Sequence, residues 1–516
     1  RHTRYIGDWS SDVCSSDLTK DDTIDGGDGT DTLQVTTVSA AALAGVSNVE
    51  TLEVTGTTTI SVSEDLAFSA FKLTSAAVQT LTLAKGVTQD TTVSLGAGDI
   101  VTNTANVALT VNASETNLDD LTALTGGTGT DTINMTTDTE TNTFNLAGQS
   151  VTLVDAINVL DPGDTTATAG EDASITTGAY ATALTIDGSG LDGATVDSDN
   201  DGSLADEALN ENLTVVGTAA TAALTITGGG GVDALTGGTK NDTINGGAGN
   251  DTITLEAGGN DTVDGGTGDD TIDVDNAGTT VLTYEDTIDG GAGTDTMTVS
   301  GDENDIDFMN VSNVEKLTVG SAGGTMTLSA YAQAAGINTV TVNGAMTLNA
   351  AGMTTALTVN AAGAVTDTIT TGTADDTIVF TLSNTLVAAD TVNGGAGTDT
   401  ISILNNENGA LTATIDLDTV TNVEKVVVAN ANGGDTAGAE NADTVGITFA
   451  AATTTTAQNI VVDGSVITDT NDVLTVTAAS VVDTDYSFTI SGGAAADSLT
   501  GSAGAEDRKS TRLNSS

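Results

Sequence analysis

The chain is 516 residues long and carries 72 acidic residues against 11 lysines and arginines, a formal net charge of −61. That balance excludes nucleic acid and anionic membrane as partners, because both need basic patches; cations are the expected ligands. One proline, one cysteine and 3% aromatic content exclude a disulfide framework and argue against a conventional globular core.

The two ends differ from the rest. Every arginine, and the only His2, Trp9 and Cys14, lie within residues 1–18 or 507–516. RHTRYIGDWSSDVCSSDL and DRKSTRLNSS resemble translated sequencing adapter, and both are set aside from fold reasoning. Between them the chain reads as modules of roughly one hundred residues. Residues 19–125 open on GGDGTDTLQV at Gly26, continue with VSNVETLEV from Val46 and reach the alternating VALTVNA from Val107. Residues 126–227 open on GGTGTDTIN at Gly126 and carry ALTID from Ala183, but offer only VDAINVL from Val154 where the other modules have the NVE motif.

Residues 228–289 hold a tandem array. From Gly228 to Asp273 it reads GGGGVDALT, GGTKNDTIN, GGAGNDTIT, one extra Leu255, EAGGNDTVD and GGTGDDTID. Each unit places an aspartate sixth (Asp233, Asp242, Asp251, Asp261, Asp270) and an aliphatic residue eighth (Leu235, Ile244, Ile253, Val263, Ile272). Paired glycines such as Gly246, Gly247 and Gly249, or Gly265, Gly266 and Gly268, permit a tight turn with converging carbonyls. A carboxylate beside such carbonyls is the donor set that hard Ca²⁺ prefers. If two units make one coil, Asp233, Asp251 and Asp270 line one edge, and Asp242 and Asp261 the other.

Residues 290–393 repeat the module with GGAGTDTMTV at Gly290, VSNVEKLTV from Val311 and ALTVNAAG from Ala356; residues 394–491 do so with GGAGTDTISI at Gly394, VTNVEKVVV from Val420 and VLTVTAA from Val473. Asp295 and Asp399 sit at the sixth position of their isolated turns, as do Asp31 and Asp131, and are candidate Ca²⁺ ligands without an adjoining nonapeptide. TGTADDTIV around Asp375 and Asp376 is the weakest copy, and residues 492–506 begin one more turn, GGAAADSLT. Period-two alternation bounded by Gly, Asn and Asp predicts strands throughout, and only SAAALAGV at Ser39 and SAYAQAAG at Ser329 read as short helices. The expected class is all-β, a parallel β-roll or β-solenoid continuing as β-helix-like modules; a chain of β-sandwiches is the alternative.

The five in-register units resemble the GGxGxDxUx nonapeptide of the repeats-in-toxin (RTX) family, a Ca²⁺-binding parallel β-roll of secreted bacterial proteins. Lys240 and the Glu256-Ala257 pair depart from that pattern. The repeated GG turn and NVE motif, in an acidic, Thr-rich chain, further resemble bacterial S-layer and large cell-surface RTX proteins. These resemblances imply Ca²⁺ as cofactor, a cell-surface location, export by a type I system, self-association into a lattice, and cell-surface polysaccharide as attachment partner. An adhesin, or the scaffold of a secreted enzyme, are the alternatives. Within these residues no enzyme is expected: between the set-aside ends there is no histidine, hence no HExxH, and no GxSxG elbow. No apolar run approaches the ~20 residues of a membrane span.

Overall fold

Threonine alternating with Val, Ile or Leu suits a pleated strand with one face buried, and Gly, Asn and Asp end each strand after a few residues. The computed structural model describes residues 3–5, 13–15 and 18–500, less 57, 64–67, 76–77, 97, 115–116, 119–120, 138–140, 147–149, 161–171, 192–210, 277–278, 281, 321–323, 362–365, 382–389, 406–410, 416–417, 431–443, 451–457, 466–472, 479–480, 482–485 and 494–496. It divides into two compact units, Arg1–Thr271 and Ile272–Ser516.

In the first unit the strands stack in parallel, coil upon coil. One ladder of inward side chains runs in register through Leu33, Leu52, Phe71, Val93, Val111, Ile133, Ile157, Ile186, Ile226, Ile244 and Val263. None of these is more than 2% exposed. The facing wall carries Ile60, Leu81, Val101, Leu124 and Val151, and then a second ladder of Phe144, Ile175, Val215, Leu235 and Ile253. At about 1.5–3 kcal/mol for each fully buried aliphatic side chain, these stacks are the apolar core.

The second unit repeats the plan. Met297, Leu317, Val340, Val359, Ile378, Ile401, Val426, Val462 and Ile490 form one ladder; Met326, Leu348, Ile369, Val392 and Val420 line another sheet. Both units are parallel β-solenoids, so the sandwich alternative is set aside. Among the described pairings only the hairpin Asp275–Asn276 with Thr279–Thr280 is antiparallel.

The short helices fall where the sequence places them, at Ala40–Leu43 and Ala330–Ala335. Gly336 closes the latter at φ 105°, and the Asp305 carboxylate, from an earlier coil, accepts the amides of Ser329, Tyr331 and Ala332 at its start. Thr3–Tyr5 and Val13–Ser15, inside the stretch set aside on sequence grounds, pair in parallel with Thr23–Asp25 and Thr32–Val35. Residues 507–516 lie outside the described residues. No described helix is long and apolar enough to cross a membrane.

Candidate metal centre

Each array unit is half a coil: a glycine turn, then a short strand whose middle residue points inward. Ile244 pairs with Val263 on one wall, and Leu235 with Ile253 on the other, as the two-unit coil requires. The turns stack as well. Gly247 pairs with Gly266 and Ala248 with Thr267, extending the strands Thr243–Ala248 and Thr262–Thr267 into the turn itself. Gly247 and Gly249 adopt φ of 105° and 117°, and Gly266 and Gly268 of 104° and 133°, a region that side-chain-bearing residues avoid. Any Cβ at Gly247 or Gly249 would also overlap the carbonyl of Gly229 or Gly231 in the preceding coil.

The sixth-position aspartates run along two edges, and all five are at most 2% exposed. On one edge Asp233 Oδ1 accepts the Leu213 amide at 2.6 Å, Asp251 Oδ1 the Asp233 amide at 2.8 Å, and Asp270 Oδ1 the Asp251 amide at 2.8 Å. On the other edge Asp242 Oδ1 accepts from Leu224, and Asp261 Oδ1 from Asp242, both at 2.8 Å. Each carboxylate thus caps an amide of the preceding coil. The fifth position forms a second ladder of opposite sense: Asn241 Oδ1 accepts from the Asn260 amide and Asn250 Oδ1 from the Asp269 amide, so here the acceptor precedes the donor.

The remaining carboxylate oxygens differ. Oδ2 of Asp233 and of Asp242 accept the second glycine amide of their own turns, Gly229 and Gly238, at 2.6 Å. Oδ2 of Asp251 is buried with no hydrogen-bond partner, and a Cβ on Gly246 would lie 2.5 Å from it while overlapping the Gly265 carbonyl oxygen. Burial pushes the Asp251 carboxyl up to about 7; the Asp233 amide opposes this, and the neighbouring carboxylates of Asp233 and Asp270 add to it. Asp233, Asp242 and Asp270 are also raised by burial.

Buried aspartate is rare unless paired, yet the two ion pairs among the described residues, Lys20 with Asp21 and Lys425 with Asp463, lie away from these edges. Among the described residues no three His, Cys, Asp or Glu side chains converge on one point. A cation at these corners therefore takes most of its oxygens from the backbone. The residues present fit Ca²⁺ on that count: an unpartnered buried carboxylate oxygen, a carbonyl beside it, and a space that only glycine leaves open.

Reading the sequence alone undervalued two places. Asp376, in the degenerate TGTADDTIV, is 1% exposed and belongs to the same kind of edge: its Oδ1 accepts from Leu357, its Oδ2 from Gly372, and its own amide is capped by Asp399 Oδ1. Asp367 and Asp390 form the edge opposite, with Asp367 Oδ1 accepting from Met346 and Asp390 Oδ1 from Asp367. The signal was the tripeptide Asp-Thr-Ile/Val at each of these strand starts, which holds even where the glycines are lost. Residues 151–159, VTLVDAINV, form the same corner as VSNVETLEV. Leu153 takes φ 58°, where Asn48, Asn313 and Asn422 take 51°, 52° and 54°. Asp295 and Asp399 are fully buried, and each has its amide capped from the next coil, by Glu315 at 2.9 Å and Glu424 at 2.8 Å.

A family model described as the RTX calcium-binding nonapeptide repeat matches residues 17–34, 227–259, 257–276, 282–306, 388–402 and 489–506, with four copies. No curated protein and no solved structure matches the chain. Stacked glycine turns, edge aspartates and the family match agree, and the chain carries RTX calcium-binding nonapeptide repeats on a parallel β-solenoid.

Proposed function

We propose that this calcium-binding repeat protein is an extracellular structural element of S-layer type that folds on Ca²⁺ after export and then associates with copies of itself. The observation that carries the reading is the buried, partnerless Oδ2 of Asp251 on an edge of stacked carboxylates. Without a cation these edges repel, and with net charge −61 the whole chain opposes compaction. Ca²⁺ supplies positive charge at the corner; Asp233, Asp242, Asp251, Asp261 and Asp270 hold it together with the carbonyls of the turns Gly246–Gly249 and Gly265–Gly268. The free energy of binding then becomes free energy of folding. Weak extracellular sites of about 10⁻⁴–10⁻³ M suit a chain kept unfolded at low Ca²⁺ and folded outside the cell. The modules 19–125, 126–227, 290–393 and 394–491 carry the same turn-and-strand pattern, and the protein acts as scaffold rather than catalyst.

Far-UV circular dichroism of residues 19–506 during a Ca²⁺ titration, with Mg²⁺ as control, tests the reading. A cooperative gain of β signal specific to Ca²⁺ is expected, followed by a rise in light scattering as copies associate. Equal β signal in chelator would overturn metal-driven folding; folding without any rise in scattering would overturn the lattice and leave a monomeric surface protein.

A further inference from the structure

The isolated glycine turns have no second nonapeptide beside them, yet each is followed one coil later by the same short corner. The strand before the turn, Thr23–Asp25, Thr287–Asp289 or Thr391–Asn393, pairs with the two-residue strand Val46–Ser47, Val311–Ser312 or Val420–Thr421. The strand after the turn pairs with the residues that follow the NVE motif: Thr32 with Thr51, Thr296 with Lys316, Thr400 with Lys425. Asn-Val-Glu thus occupies, in three residues, the corner that GGxGxD fills in six.

Each residue of the corner has a fixed task. Asn48, Asn313 and Asn422 donate their side-chain amides to Asp25, Asp289 and Asn393, at 2.8, 2.7 and 2.8 Å, and these same acceptors receive the second glycine amide of the turn. So held, at positive φ, the asparagine turns its carbonyl to the leading glycine: a Cβ on Gly26, Gly290 or Gly394 would overlap that oxygen and lie 2.8, 2.9 or 2.7 Å from Oδ2 of Asp31, Asp295 or Asp399. Glu50, Glu315 and Glu424 cap the amides of those aspartates, as the next aspartate does in the array. Asp31 is 7% exposed and Asp399 0%, and Oδ2 of each is buried with no hydrogen-bond partner, pointed at the same gap.

We propose that the Asn-Val-Glu corner is the second half of a mixed Ca²⁺ site at each of these turns, with Asp31, Asp295 or Asp399 from the turn, the carbonyl of Asn48, Asn313 or Asn422, and the carboxylate of Glu50, Glu315 or Glu424. The proposal rests on the calcium reading above and extends it to residues outside the nonapeptide. The second module is the internal contrast. There Leu153 replaces the asparagine and Asp155 the glutamate, and Asp131 is already satisfied by Leu109, Asn103 and Gly127. The matched family segments include the other three turns and omit residues 126–131, and the mixed site is not assigned there.

The test is Ca²⁺ stoichiometry of the full chain by equilibrium dialysis at clamped millimolar free Ca²⁺. The variant E50Q/E315Q/E424Q keeps an acceptor for each aspartate amide but removes the charge. It is expected to bind one ion fewer for each corner changed, while Glu53→Gln, on the neighbouring strand, and Asp155→Asn bind the parental number. An unchanged count in the triple variant overturns the proposal, as does an equal loss in Glu53→Gln, which would mark diffuse charge. If the triple variant does not regain the parental β signal at saturating Ca²⁺, the three single variants are measured, and parental counts in all three overturn it. A parental chain that binds no Ca²⁺ would instead sink the calcium reading as a whole.

Discussion

Asp251 differs from Asp233 by a single missing hydrogen bond. Asp233 Oδ2 finds the Gly229 amide, whereas Asp251 Oδ2 finds none. Replacing Asp251 with alanine is expected to shift the Ca²⁺ midpoint for folding upward about tenfold, read by circular dichroism; replacing Asp233 should also leave the Leu213 amide uncapped and cost about 1–3 kcal/mol in saturating Ca²⁺. The same carboxyls set a pH dependence. Asp251 is held at about 7, and Asp367 and Asp399 at about 6, chiefly by burial, against 3.8 for the free side chain. A raised carboxyl is neutral in both states below about pH 4, and from there to about pH 7 the unfolded chain releases protons that the folded chain retains. Stability in chelator must therefore fall as pH rises through that window. Ca²⁺ displaces those protons, so its affinity rises over the same window. With the ion in place these carboxyls are ionised both folded and unfolded across that window, so urea midpoints in saturating Ca²⁺ should agree at pH 5 and pH 8; a lower midpoint at pH 8 would mean the ion does not meet these carboxylates.

At the scale of the element, the stacked glycine turn admits little change. Gly249 combines φ 117° with direct overlap of any Cβ on the Gly231 carbonyl, so Gly249→Ala is expected to cost at least the ~1–3 kcal/mol of a strained residue and to broaden the Ca²⁺ transition. Ile244, between Ile226 and Val263 in the ladder, is 1% exposed, and Ile244→Ala should lower stability by about 2–5 kcal/mol in Ca²⁺ as judged by urea midpoint. These elements were legible in the sequence, because alternation at period two and the array's regular spacing dictate both the strand and its inward face. The isolated corners were less so. VDAINVL hid its kinship because Leu153 adopts the left-handed conformation that asparagine accepts more readily, helped by Tyr180, 26 residues on, whose hydroxyl bridges the Val154 amide and carbonyl. Asp376 was undervalued for a related reason: its tertiary neighbour Asp399 is 23 residues away, beyond any local motif.

For the whole molecule, charge decides the conditions of folding. With 72 acids against 11 bases, monovalent salt screens repulsion but cannot supply oxygen-coordinated positive charge inside a corner. Added NaCl should therefore leave a chelated chain short of the β signal that millimolar Ca²⁺ produces; full recovery in NaCl would reduce the acidic edges to a screening problem.

Each of the two side-chain ladders has a grain. Each edge aspartate waits with Oδ1 for an amide from the coil before it, so a finished coil presents ready acceptors on its N-terminal side. A coil arriving on that side is received by groups already in place; one arriving on the C-terminal side must itself carry the acceptor for the aspartate amide left open. The asparagine ladder has the opposite grain, its Oδ1 waiting for an amide from the coil that follows, so a finished coil holds acceptors ready for a neighbour on either side.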